Sequence, residues 1–456
     1  MKTLKNIIAL GFLLVAGVSC DGFVEVSLPN SQLTSQSVFE NYTTADAAMV
    51  SIYSKIRDAG LLTGTSFGLS NQLGCYADEL QFYGTSGNSS NTFYNNVLLP
   101  TTNEMATYWN ATYNQIYSAN SVLAGVANST GLTQVQKNQL KGEALFVRAL
   151  LHFYLVNLYG AVPYITTTDY TQNSLVARMP IPFVYGSIKA DLDAALLLLP
   201  ASSLERVRPT QITAHALLAS VYLYTQDWAA SANEASAVLN TTGYAIETNL
   251  DNVFLKGSTS TLWQLKPTVD GKNTDDGQAF IFVTGPPPLV ALSSGLIGAF
   301  SPLDQRKIHW TKAVTSGVNT WYHAYKYKKN ANTATSLEYT ILFRLEEQYL
   351  IRAEARAQQG DLIGASQDLN VVRTRAGLAN TTAVNAPDII TAVIAERRLE
   401  FFTEIGHRFF DLKRTGTIDA ALTPAKLGWN STDVLFPLPQ TELLANPNLT
   451  PQNPGY

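Results

Sequence analysis

Two stretches of this chain repeat one pattern, and that pattern limits the fold more than any other feature. Thr213 to Leu239 turns at Gln226-Asp227-Trp228, and Phe343 to Arg375 turns at Gly360-Asp361-Leu362. Each reads as an alanine-rich helix, a tight polar turn and a second helix with small residues where a partner approaches. A lone hairpin of this kind cannot bury its own apolar face, so it must stack on neighbours. The two copies lie well over a hundred positions apart and do not form a simple tandem array.

The helical period recurs elsewhere. Leu140, Ala144, Val147, Leu151, Tyr154 and Leu158 alternate spacings of four and three, which predicts one long amphipathic helix stopping at Gly160 and Pro163. Leu362, Ala365, Leu369, Val372 and Ala376 repeat the spacing up to Gly377, and Trp228, Ala232, Ala235 and Leu239 form a third stripe. The paired units resemble tetratricopeptide hairpins. The expected class is therefore mostly α, a tetratricopeptide-like helical-repeat scaffold. Residues 60–103 and 241–336 break the period with Gly, Ser, Asn and aromatics, including the run Gly285-Pro286-Pro287-Pro288. Such punctuation marks loops and short strands, and stretches this long carry function or substructures of their own. They read as irregular insertions on a helical frame.

The N-terminus reads as an export leader. Lys2 and Lys5 precede an apolar run, Ile7 to Val18, that is too short for the roughly 20 residues a membrane span needs. Small residues then lead to Cys20, which suggests a lipoprotein signal over 1–19, acylation of Cys20 and a tether over 20–42. The usual pattern has a large aliphatic residue three positions before the cysteine. Gly17 stands there, so cleavage at a nearby non-lipoprotein site is the alternative. With Cys20 acylated, Cys75 has no partner, and stability must come from packing. Net charge is −4, and loss of Lys2 and Lys5 makes it more negative, which favours neither nucleic acid nor an anionic membrane face. Charged residues make up 14%, against roughly 25% in soluble domains, so neutral hydrogen-bonding groups fill much of the surface.

The usual metal, redox and nucleotide signatures are absent: no HExxH, CxxC, P-loop or nucleotide-binding glycine fingerprint occurs. His152, His215, His309, His323 and His407 lack metal-ligand spacing and read as structural. The adjacent pairs Asp78-Glu79 and Asp275-Asp276 say nothing about two carboxyls facing across a glycosidic bond. Neither an enzyme nor a cofactor is expected. The densest charge runs from Glu396 to Arg414. On one continuous helix Glu400, Glu404 and Arg408 would share a face, with Asp411 and Arg414 adding to the set, and the expectation is an ion-pair lattice pinning a late helix to the array.

Five segments in order resemble the SusD/RagB family of nutrient-binding outer-membrane lipoproteins. They are KGEALFVRALLHFYLVNLYGAVPYI (141–165), PIPFVYGSIKADLDAALLLL (180–199), FRLEEQYLIRAEARAQQGDLIGASQDLNVVRTRAGL (343–378), ERRLEF…RFFDLKR, and LFPLPQTELLANPNLTPQNPGY (435–456). His407 departs from the family motif, which more often reads glycine followed by a hydrophobic residue or arginine. The resemblance implies about four helix pairs, arranged as an N-terminal helical region 43–240 with its insertion at 60–103, a ligand-face insertion 241–336 and a C-terminal region 337–456. It also implies an outer-membrane, lipid-anchored, cell-surface location and a partner, a TonB-dependent transporter of the SusC type, to which captured oligosaccharide is delivered. Peptide capture is the alternative within binding, and a glycan hydrolase on the same frame is the rival.

Family motifs report the frame, so ligand residues must be sought in the insertions. Sugar rings offer flat C–H faces rimmed by hydroxyls, which suits aromatic platforms beside neutral or acidic acceptors. Asp78, Glu79, Tyr83, Tyr94 and Asn95 form the candidate cluster of the first insertion. Trp310, Trp321 and Tyr322, beside Asp304 and Arg306, are the candidates of the second. Trp109 reads as core, since it opens a helix.

Overall fold

The computed structural model describes residues 35–203 and 205–456. The expected leader, Cys20 and the tether up to residue 34 lie outside the described residues. The frame consists of helices α1 (Tyr42–Asp58), α2 (Asn103–Asn128), α3 (Gln134–Tyr159), α4 (Ile181–Leu196), α5 (Gln211–Tyr224), α6 (Trp228–Leu239), α7 (Leu345–Gln358), α8 (Leu362–Arg375), α9 (Ala386–Glu400) and α10 (His407–Arg414). Each of α1 to α8 packs on the next, and α9 packs on both α7 and α8.

The repeated units are the hairpins α5–α6 and α7–α8, and α6 packs directly on α7. Their turns use the same chemistry. Gln226 and Gly360 take positive φ (59° and 85°), after which Asp227 and Asp361 cap the second helix by accepting from the backbone N–H of Ala230 and Gly364. Ala219, Ala235, Ala353 and Ala365 are fully buried, so the helices approach closely where side chains are smallest. Helix α3 starts at a capping box between Thr133 and Gln136 and stops at Gly160, whose φ of 75° suits glycine.

Short strands tie the insertions to this frame. Strand β1 (Leu80–Phe82) belongs to the first insertion. The second carries β2 (Thr261–Leu265), β3 (Val290–Leu292), β4 (Thr311–Ser316) and β5 (Asn319–Ala324), and β6 (Thr340–Arg344) leads into α7. Strand β2 pairs antiparallel with β6, so the excursion that leaves after α6 returns to α7 beside its own start. Trp263 of β2 lies edge-on to Phe146 of α3 at 5.3 Å and near-parallel to Phe343 of β6, filling the core between insertion and frame.

A buried ion lattice completes the attachment. Arg306 pairs with Asp304 (2.8 Å), Glu396 (2.6 Å) and Glu400 (2.9 Å), and Arg344 reaches Glu400 (2.5 Å) and Glu404 (2.8 Å). Burial pushes the Glu400 carboxyl up, but Arg375, Arg344 and Arg306 outweigh it and hold the group far below the usual carboxylate range. The Glu396–Arg414 segment is not one helix, however. Helix α9 ends at Glu400, the chain turns through Thr403, Ile405 and Gly406 at positive φ, and α10 begins at His407. Glu404 therefore serves the lattice, while Arg408 faces a different partner.

Candidate functional site

Strand pairing brings the two insertions together. Strand β1 pairs antiparallel with β3 in the register Leu80↔Leu292 and Phe82↔Val290. Beyond the ladder, the backbone N–H groups of Tyr83 and Gly84 both donate to Leu289 O, at 2.7 and 3.2 Å. This sets the direction in which Tyr83 leaves the strand. Hairpin β4–β5 runs in register from Thr311↔Ala324 to Ser316↔Asn319 and turns at Gly317-Val318, leaving Val318 fully exposed. Strand β5 lies against β3 and so carries Trp321 to β1.

There the Tyr83 and Trp321 rings meet edge to face, with centroids 6.4 Å apart and planes at 88°. Both are only partly buried. Backbone lies close behind the indole: a Cβ on Gly285 would stand 2.3 Å from Trp321 Cζ3. The Gly-Pro run seen in the sequence is thus where a glycine admits the tryptophan. Tyr322 follows Trp321 directly along β5, so it turns to the opposite face of the ribbon and packs against the main core.

Tyr94 meets β1 one residue before Tyr83, at Phe82. Its ring is 6.4 Å from Phe82, and Lys426 Nζ lies 3.9 Å from its centroid while donating to Cys75 O. One face of Tyr94 is therefore taken by a cation whose position, hundreds of residues away, no sequence signal foretold. Asn95 is exposed, and its amide donates back to the Asn91 backbone and side chain at 2.9 Å.

Three expected site residues have structural partners instead. Asp78 accepts two hydrogen bonds from Arg408 and one from Arg398. Glu79 is 1% exposed, accepts from the Thr403 backbone at 3.3 Å, and is pushed up to about 7 by burial and by Asp78. Trp310 is completely buried and donates to Leu250 O at 2.9 Å, so no ring face remains for a ligand. Its neighbours Asp304 and Arg306 belong to the ion lattice. Burial decided all of these, and composition could not show it.

Among the described residues no cluster of His, Cys, Asp and Glu is placed to hold a metal ion, and no helix is long and apolar enough to cross a membrane.

A family model described as starch-binding associating with outer membrane matches residues 25–223, and the SusD family model matches residues 304–456. The chain belongs to the SusD/RagB family. Tyr83 falls within the first match and Trp321 within the second. The SusD-like protein P2 of Formosa agariphila is 27% identical, over 82% of this chain and 85% of that protein. A laminarin binding SusD-like protein superposes with a TM-score of 0.75 at 25% identity, over 91% of this chain and 99% of that one. The surface glycan-binding protein A of Bacteroides thetaiotaomicron, in complex with laminarihexaose, shares the fold with a TM-score of 0.76 at 19% identity, covering 90% and 99%. In this SusD/RagB chain, too, the structure is a mostly helical, tetratricopeptide-like frame.

Proposed function

We propose that this chain is a cell-surface nutrient-binding lipoprotein that captures neutral oligosaccharide on the Tyr83–Trp321 face and passes it, unaltered, to a SusC-type TonB-dependent transporter. The observation that carries the reading is the pairing of those two partly buried rings from separate insertions, at 6.4 Å and 88°. A pair held edge to face in this way offers an indole face for stacking with a phenol hydroxyl at its rim. A family model associated with the outer membrane and relatives named for laminarin or glycan binding support the ligand class and the location. The leader ending at Cys20 supports the anchor.

Calorimetric titration of the mature protein with laminarihexaose tests this. Trp321→Ala and Tyr83→Ala should each weaken binding about tenfold, which corresponds to about 1.4 kcal/mol. Parent-like affinity in both variants sinks the assignment. Competition by mixed peptides but not by oligosaccharides would replace the ligand class, and product formation by the purified protein would replace binding with hydrolysis.

A further inference from the structure

Helix α2, which shares no residue with that face, carries a row of rings that runs from the buried Trp109 out to the exposed Tyr117. Trp109, Tyr113 and Tyr117 are four residues apart, so they share one helix face and rise by about 6 Å per step. Trp109 and Tyr113 have centroids 4.8 Å apart, and the Tyr113 hydroxyl is fixed on Pro163 O at 2.9 Å. Tyr117 is 47% exposed, and its hydroxyl has no partner among the described residues.

These rings form one wall of a cavity of about 420 Å³, closed by the segment after α3, the short helix Tyr170–Asn173 and the short helix Gln440–Ala445. That volume lies within the usual span of small-molecule sites. Tyr117 also borders a neighbouring hollow of about 510 Å³ along the same helix, so the groove continues past a single sugar's length.

Several polar groups lining the cavity are unspent. The Glu442 carboxylate makes no hydrogen bond or ion pair among the described residues, and partial burial raises its pKa. The Asn110 amide is likewise unpaired, and Asn114 commits only Oδ1, to Lys55 Nζ at 3.1 Å. No lysine, arginine or histidine lines the cavity. Lys55 reaches the edge only through Asn114, so an anionic ligand would face the Glu442 carboxylate, whereas hydroxyl groups find both donors and acceptors. An aromatic row opposite unspent amides and one carboxylate is the chemistry of a sugar ring and its rim.

We propose that this cavity is a second carbohydrate site, sharing no residue with the Tyr83–Trp321 pair, that takes a neutral di- or trisaccharide with ring faces on Tyr113 and Tyr117 and hydroxyls on Glu442 and Asn110. A second foothold on the frame would hold one glycan chain at two points and raise its residence by effective concentration.

The test uses saturation-transfer NMR on the full mature chain carrying Trp321→Ala and Tyr83→Ala, so that loss or failure of the first face neither hides nor mimics the result. The probes are maltose, cellobiose, laminaribiose, lactose and mannobiose, with a uronic-acid disaccharide as the charged control. At least one neutral disaccharide should bind, and adding Tyr117→Ala or Glu442→Gln should weaken it tenfold or more. The uronic-acid disaccharide should bind at least tenfold more weakly. Glu442→Gln keeps side-chain volume and should leave melting unchanged, so its effect reads recognition rather than folding. The proposal is overturned by absence of any signal that depends on Tyr117 and Glu442, or by preferred binding of the acidic disaccharide.

Discussion

Arg408 grips Asp78 through two hydrogen bonds, 2.8 and 3.0 Å long, across 330 positions of sequence. The same carboxylate takes a third bond from Arg398, so it clamps the first insertion to α9 and α10. Asp78→Ala should then cost about 2–3 kcal/mol in stability, because two part-buried guanidinium groups lose their counter-charge. Urea unfolding measures the loss. Unchanged stability with weakened glycan affinity would return Asp78 to the ligand face.

The two tryptophans of the second insertion should behave oppositely. Trp310 lies among Phe254, Lys326 and Arg375 with no exposed surface, so Trp310→Ala should cost about 3–5 kcal/mol by opening a cavity. Trp321→Ala should leave the melting temperature within about 2 °C while weakening glycan binding. Paired thermal melts and titrations separate the two, and a large stability loss at Trp321 would contradict the assignment.

Gly285 offers a subtler probe. A methyl there must displace the indole, since Cζ3 would stand 2.3 Å away. Trp321 is only partly buried and can move at a cost of about 1 kcal/mol. Gly285→Ala should therefore lower glycan affinity several-fold with little change in melting. Parent-like titration curves for this variant would mean that the indole position does not govern binding.

Glu79 should leave a mark on the pH dependence of stability. Burial and Asp78 lift its carboxyl to about 7, above the ordinary 4.5, so the folded state holds a proton that the unfolded chain has lost. Its contribution is complete below pH 4.5 and is lost as pH rises through 7. The loss is on the order of 3 kcal/mol. Glu79→Gln mimics the protonated form, so the variant should gain on the parent between pH 4.5 and 7.5. Urea midpoints at both pH values measure this, and parallel curves for the two proteins would count against it.

The helical frame was legible because its signals are local. Apolar spacing of three and four marked α3 and α8, and the Asp227 and Asp361 turns marked both hairpins. Family motifs then ordered the whole. The sequence also showed which stretches depart from that period, since glycine, proline and asparagine interrupt it residue by residue. Which insertion aromatics face outward was decided by tertiary structure alone. Trp310 and Trp321 look alike in composition, yet one is sealed among cations and the other stands beside Tyr83. That difference arises from the β1–β3 pairing, over 200 positions apart, and from the Arg306 lattice, which reaches Glu400 94 positions on, whereas periodicity reports only neighbours within a turn or two.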